Sequence, residues 1–150
     1  MNILVSACLL GINCKYNAEN NQNIFVQSLA ENHTLIPVCP EQLGGLPTPR
    51  IPSERSKDKV FTKDGKEVTA EYRKGAGEAL KIAQGSHCTA AILKERSPSC
   101  GSGQIYDGTF TKTSIPGNGV TAELLRKNGI AVFHEHQTEA IQQWILENVR

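Results

Sequence analysis

Apolar residues in this chain come in short unbroken runs set between longer polar stretches. Ile3-Leu4-Val5 within residues 2–6, Leu35-Ile36-Pro37-Val38 within 34–38, Ala90-Ala91-Ile92-Leu93 within 89–94 and Ile130-Ala131-Val132-Phe133 all lack polar alternation. Strands buried on both faces read this way, and such strands belong to parallel sheets. Between the runs lie helical patterns. Residues 18–31 carry Ile24, Phe25 and Leu29, a modest helical spacing. Residues 70–84 align Tyr72, Ala76, Ala79, Leu80 and Ala83 on one stripe, and residues 137–149 align Ile141, Trp144, Ile145 and Val149 on another. A further helix starts with Asn118 or Thr121 as its cap and ends near Asn128-Gly129. Residues 59–69 predict a hairpin turning at Asp64-Gly65. The Pro- and Gly-rich stretch 39–52 excludes a long helix or central strand. The glycine-rich loop 97–119 is long enough to mark a functional segment. This order of elements predicts one α/β domain over residues 1–150 with a mainly parallel sheet and a small hairpin.

Composition narrows the function classes. A hydrophobic content of 39% with 21% charged residues fits a soluble globular domain. The net charge of +1 supplies no basic excess for nucleic acid or a membrane surface, and 5% aromatics supply no stacking platform. No apolar run approaches the ~20 residues of a membrane span. Residues 1–10 lack a basic start and read as a strand rather than a secretory signal. Five cysteines, an odd number without such a signal, predict reduced thiols in the cytoplasm.

Three of those cysteines follow predicted strands. Cys8 comes after the first, Cys39 after the second and Cys100 shortly after the third. The carboxyl ends of parallel strands share one crevice, so residues this far apart in sequence can converge. Three thiolates without an obvious fourth partner suggest a metal centre with an open position, where a metal does chemistry. The loop Ser97-Pro98-Ser99-Cys100-Gly101-Ser102-Gly103 brings backbone N–H groups and hydroxyls close to an anion or a cluster sulfur. Glu41, two residues beyond Cys39, is placed to act as a general base, or to anchor its loop by pairing with Arg50. Five residues separate Cys8 from Cys14, as in the phosphate loop of cysteine phosphatases, but Cys14 stands where that loop needs arginine. Cys88 reads as a small buried hydrophobe, whereas Cys14 reads either that way or as a substitute ligand close to Cys8. His33, His87, His134 and His136 form no metal-type pair near a cysteine, and there is no CxxC, P-loop or dinucleotide fingerprint.

Ser6-Ala7-Cys8-Leu9-Leu10-Gly11, Pro37-Val38-Cys39-Pro40-Glu41-Gln42-Leu43-Gly44-Gly45 through Arg50, and Lys94-Glu95-Arg96-Ser97-Pro98-Ser99-Cys100-Gly101 resemble a bacterial family formerly catalogued as a domain of unknown function, which includes the thiouracil desulfidases. Ile105 to Phe110 and Gly117 to Ala122 resemble its later blocks. The resemblance implies a Rossmann-like three-layer domain holding a 4Fe-4S cluster through Cys8, Cys39 and Cys100, with one iron left open for the substrate's sulfur. It also implies Glu41 and Ser97 as the catalytic pair, and non-redox desulfuration of a thionated small molecule as the activity. The expected partner is that small molecule, not nucleic acid or membrane. The chain departs from many relatives in Lys15-Tyr16-Asn17-Ala18 and in Cys14. Two rival readings stay open: a cluster-carrying binding or sensing module without turnover, and a cluster-free anion-binding α/β enzyme.

Overall fold

A computed structural model describes residues 1–149. Its centre is a parallel sheet in the order β2-β1-β5-β8, formed by β1 (Asn2–Ser6), β2 (Thr34–Val38), β5 (Ala90–Leu93) and β8 (Ala131–His134). These are the four apolar runs, and both faces of the sheet are covered. Leu4, Val38, Ala91, Leu93 and Val132 pack with Ala83 of α3 (Thr69–Gly85) and with Ala122 and Leu125 of α4 (Val120–Lys127). Ile3, Val5 and Ile92 pack on the other side with Val26 of α1 (Ile24–Ser28) and Ile141 of α5 (Thr138–Asn148). Alternation along each strand thus divides the core between two helical layers.

Four expectations need correction. The helical pattern over 18–31 yields helix only at Ile24–Ser28. Asn17 and Asn20 accept hydrogen bonds from the backbone N–H groups of Glu19 and Gln22, local turns that compete with helix, and Asn23 caps the helix that follows by accepting from Val26 N–H. The main hairpin joins β3 (Ser53–Ser56) to β4 (Lys59–Thr62). The turn at Asp64-Gly65 forms too, but beyond it only Glu67 bridges back to Phe61. The long loop after Ser97 contains a second antiparallel pair, β6 (Gln104–Tyr106) with β7 (Ser114–Pro116). Finally, Gly119 caps α4. Asn118 instead accepts from Gly103 N–H at 2.9 Å, and the Thr121 hydroxyl bonds Ser99 Oγ at 2.7 Å. Both candidate caps are spent on tying the Cys100 loop to the helix.

One packing contact positions the site. The single-turn helix α2 (Pro40–Leu43) crosses α3 where Gly44 meets Gly75. A Cβ on Gly75 would stand 1.9 Å from the Pro40 carbonyl oxygen, and one on Gly44 would stand 2.0 Å from that of Glu71. This approach is open only to glycine and sets Glu41 against Tyr72. Gly75→Ala is expected to cost about 1–3 kcal/mol of stability or more, and to lower metal uptake at Cys39 with it. A denaturant melt alongside an iron assay checks both.

Candidate metal centre

The carboxyl ends of β1, β2 and β5 open onto a cavity of about 500 Å³, a size typical of small-molecule sites. It lies where the chain reverses direction across the sheet, since β1 neighbours both β2 and β5. Cys8 enters it from the helical turn Ala7–Leu10, and Cys39 from the extended residue before Pro40. Cys100 reaches it from the loop beyond β5, and Glu41 and Ser97 line the same cavity. Every site residue predicted from sequence is therefore in one place.

The Cys100 loop is held from two sides. Ser97 Oγ accepts from the N–H groups of Ser99 at 3.1 Å and Cys100 at 3.0 Å. The first N–H groups of α4, at Val120 and Thr121, donate to the carbonyls of Pro98 and Ser99. Those donors have no partner within their own helix, so the loop supplies it. Ser6, a buried residue that sequence reasoning did not single out as a site residue, accepts from Lys94 N–H at 3.0 Å. Burial pushes the Cys100 thiol up to about 12, against the lowering influence of the Ser6 hydroxyl.

Cys14, whose part in the site the sequence leaves open, lies inside it. It is 3% exposed and lines the cavity beside Cys8 and Cys39. The turn after Gly11 folds the chain back, with Asn21 N–H on the Cys8 carbonyl and Arg50 N–H on that of Tyr16. The Cys39 thiol donates to the Cys14 carbonyl at 3.7 Å. The Cys14 thiol beside them brings Cys39 down to about 6 and lowers Cys8, in each case against burial. Cys14 itself is pushed up by the same two neighbours, Cys39 first. Cys88, by contrast, sits in the core with Leu4, Ala83 and Leu125, and burial raises it. Cys88→Ala is expected to cost roughly 1 kcal/mol of packing and to leave bound iron unchanged, as a melt and a metal assay on one preparation would record.

The spacing of the thiols distinguishes among metals. Among the described residues, Glu95, Glu135 and His136 are the one group of three donors whose atoms all lie within 4.8 Å of one another. No three cysteines come that close, whereas tetrahedral Zn–S bonds of ~2.3 Å set sulfurs about 3.8 Å apart. Three soft donors spread wider than one ion allows fit a polynuclear iron–sulfur cluster. Arg50 adds a second observation. Its side chain is 5% exposed, and its Nε–H is buried without an acceptor. Cluster and cysteine sulfurs accept hydrogen bonds of this kind. The other group carries its own counter-charge, since Lys94 Nζ lies 3.3 Å from Glu135 Oε2.

Glu41 is oriented on both oxygens. The Tyr72 hydroxyl donates to Oε1, and Arg50 Nη2 donates to Oε2 at 2.8 Å. Arg50 Nη2 also donates to the Cys14 carbonyl at 3.0 Å, joining the two cysteine segments. Burial, and next Glu41, push the Tyr72 phenol well up, so it stays a neutral donor. In the sequence Tyr72 reads only as part of an apolar helix stripe, and nothing local marks it for the site. The cavity wall further carries Lys15, Lys63, Lys94, Arg96 and Lys112.

Known proteins resemble this chain over nearly its whole length. The chain is 42% identical over 149 residues to the uncharacterized protein YbbK of Bacillus subtilis (strain 168), covering 93% of this chain and 99% of that one. It superposes on a solved [4Fe-4S]-dependent thiouracil desulfidase, TudS (DUF523Vcz), with a TM-score of 0.91 and 43% identity, covering 97% of this chain and 98% of that one. Residues 3–137 match the description of 2-thiouracil desulfurase, and with this match the chain belongs to the 2-thiouracil desulfurase family.

Proposed function

We propose that this chain hydrolyses the carbon–sulfur bond of a thionated small molecule, a thiouracil-like nucleobase, at a [4Fe-4S] cluster held by Cys8, Cys39 and Cys100. The observation that carries the reading is the meeting of three thiols from three strand ends in one cavity beside an oriented carboxylate. In the net reaction, oxygen from water replaces the thiocarbonyl sulfur, which leaves as hydrosulfide, and no electrons are exchanged. When bound, the cluster supplies an iron without a protein ligand, a Lewis acid with affinity for sulfur.

The chain's own groups do the rest. Each Glu41 oxygen accepts one bond in the site and keeps further acceptor capacity, so the carboxylate can take a proton from the attacking water. Tyr72 and Arg50 hold it in that orientation. Ser97 Oγ is an acceptor for two N–H groups, which leaves its own hydrogen free to donate to a substrate heteroatom. The five wall cations outnumber the other wall carboxylates, Glu54 and Glu95, and that excess favours a substrate that carries negative charge.

Anaerobic reconstitution with iron and sulfide, followed by a panel of thionated bases and their nucleoside monophosphates, tests the reading. The expected result is a brown protein that releases hydrosulfide and the oxo product in equal amounts. A loaded protein that turns over none of them favours the binding or sensing module. A protein that takes up no cluster overturns the reading.

A further inference from the structure

The loop 107–113, between β6 and β7, is built on alternation. Gly108, Phe110 and Lys112 have left-handed backbone, with φ of 95°, 60° and 59°. Phe110 and Lys112 line the cavity. The residues between them hold one another. The hydroxyls of Thr109, Thr111 and Thr113 link in a row, at 2.6 and 2.8 Å, that ends on Asp107 Oδ1. Asp107 N–H closes the loop on the Thr113 carbonyl at 2.9 Å. From β3, the buried Glu54 reaches across. Its Oε1 accepts from Gly108 N–H at 3.0 Å and from Phe110 N–H at 3.1 Å.

Left-handed backbone at a phenylalanine is costly and persists only where the surroundings impose it. What is achieved here is the placement of a ring. Phe25 and Phe133 pack against the core, whereas Phe110, among the described residues, joins none of its three apolar clusters. It stands half-buried in the wall of the site instead. Tyr16 and Tyr106 line the same cavity, and Phe110 is set apart from them by the loop built to hold it. We infer that Phe110 is a specificity-determining residue whose ring packs on one face of the planar thionated base, and that Glu54 positions it. This inference rests on the reaction proposed above and names how its substrate is recognised. A thionated pyrimidine carries its polar atoms on its edge and offers two flat faces. An aromatic side chain meets such a face by stacking, whatever the edge carries. One ring serves one free base, where a nucleic-acid strand needs a row of them.

The test is steady-state kinetics of the reconstituted protein on a thionated pyrimidine that it turns over and on the 5,6-dihydro analogue. The saturated ring of the analogue keeps the thiocarbonyl and loses the flat π face. Wild type is expected to show the lower KM for the aromatic base. Phe110→Ala is expected to raise that KM about 5–150-fold, the effect of removing a ring that stacks on a base. Iron per chain should stay full, kcat should change much less, and the KM of the analogue should hardly move. Phe110→Tyr keeps the ring and should stay near wild type. Equal KM values for the two compounds in wild type, or a ratio of the two that Phe110→Ala leaves unmoved, overturns the inference. Should the alanine variant not fold or not take up iron, Phe110→Leu decides, since it keeps apolar bulk without the ring. A reduced ratio there supports stacking, and an unmoved ratio overturns it. Glu54→Ala should reduce the same ratio, and Glu54→Gln, which keeps an acceptor for both N–H groups, should restore it. A folded Glu54→Ala with the wild-type ratio overturns the positioning role. Wild type that holds its cluster and turns over no thionated base overturns the proposed reaction alone. Calorimetric binding of uracil and 5,6-dihydrouracil to the same variants then decides on Phe110.

Discussion

Glu41→Gln is expected to keep its cluster and lose most of its activity, by about 10²–10⁴-fold for a general acid–base group. The substitution preserves shape, and the network can stay satisfied. The amide oxygen accepts from Arg50 in place of Oε2, and the amide nitrogen donates to a Tyr72 hydroxyl that turns to accept it. What the change removes is the charge and the ability to take a proton. The rival role, a loop anchor, has real support in the 2.8 Å contact with Arg50. The two roles separate when turnover is divided by bound iron. Loss of turnover per cluster establishes proton transfer. Unchanged turnover per cluster with poorer iron retention makes Glu41 an anchor alone. Tyr72→Phe is the companion variant: it frees Oε1 and keeps the charge, so it should lower turnover far less than Glu41→Gln.

Removing a cysteine from the proposed ligand set has the second large effect, and the three positions should differ in how it is reached. Cys39→Ser lies at the partly exposed cavity wall and should fold normally, lose bound iron and show no turnover. Cys8→Ser should behave alike. Cys100 is packed in the core with Leu93 and Ala122. A hydroxyl there costs about 1–3 kcal/mol unless it finds a partner, and Ser6 is the group placed to provide one. Cys100→Ser is therefore expected to lose iron together with some stability. Iron per chain, the charge-transfer spectrum and a denaturant melt on each variant check the set. Full iron content in any folded member would remove that residue from it.

The parts of the fold that the sequence made legible are those whose signal is local. Four unbroken apolar runs mark buried strands because both faces of a parallel sheet are covered, and the structure has those four strands in one sheet. The gathering of Cys8, Cys39 and Cys100 was legible for the same reason, since parallel strands end on a common edge. Motif resemblance reached Glu41 and Ser97 in the same way, from residues adjacent to those cysteines in the chain. Tertiary structure alone decided what depends on distant segments meeting. Tyr72 belongs to a helix stripe that reads as core, and it reaches Glu41 only because Gly44 and Gly75 let two helices touch. Cys14 reads as either a buried hydrophobe or a substitute ligand, and its place is settled only when the turn after Gly11 closes over the cavity and Arg50 grips its carbonyl. The β6–β7 pair and the Gly119 cap went unread because their partners lie across the Cys100 loop. Periodicity reports which face of an element is buried, and it carries no record of which side chain waits on the other side.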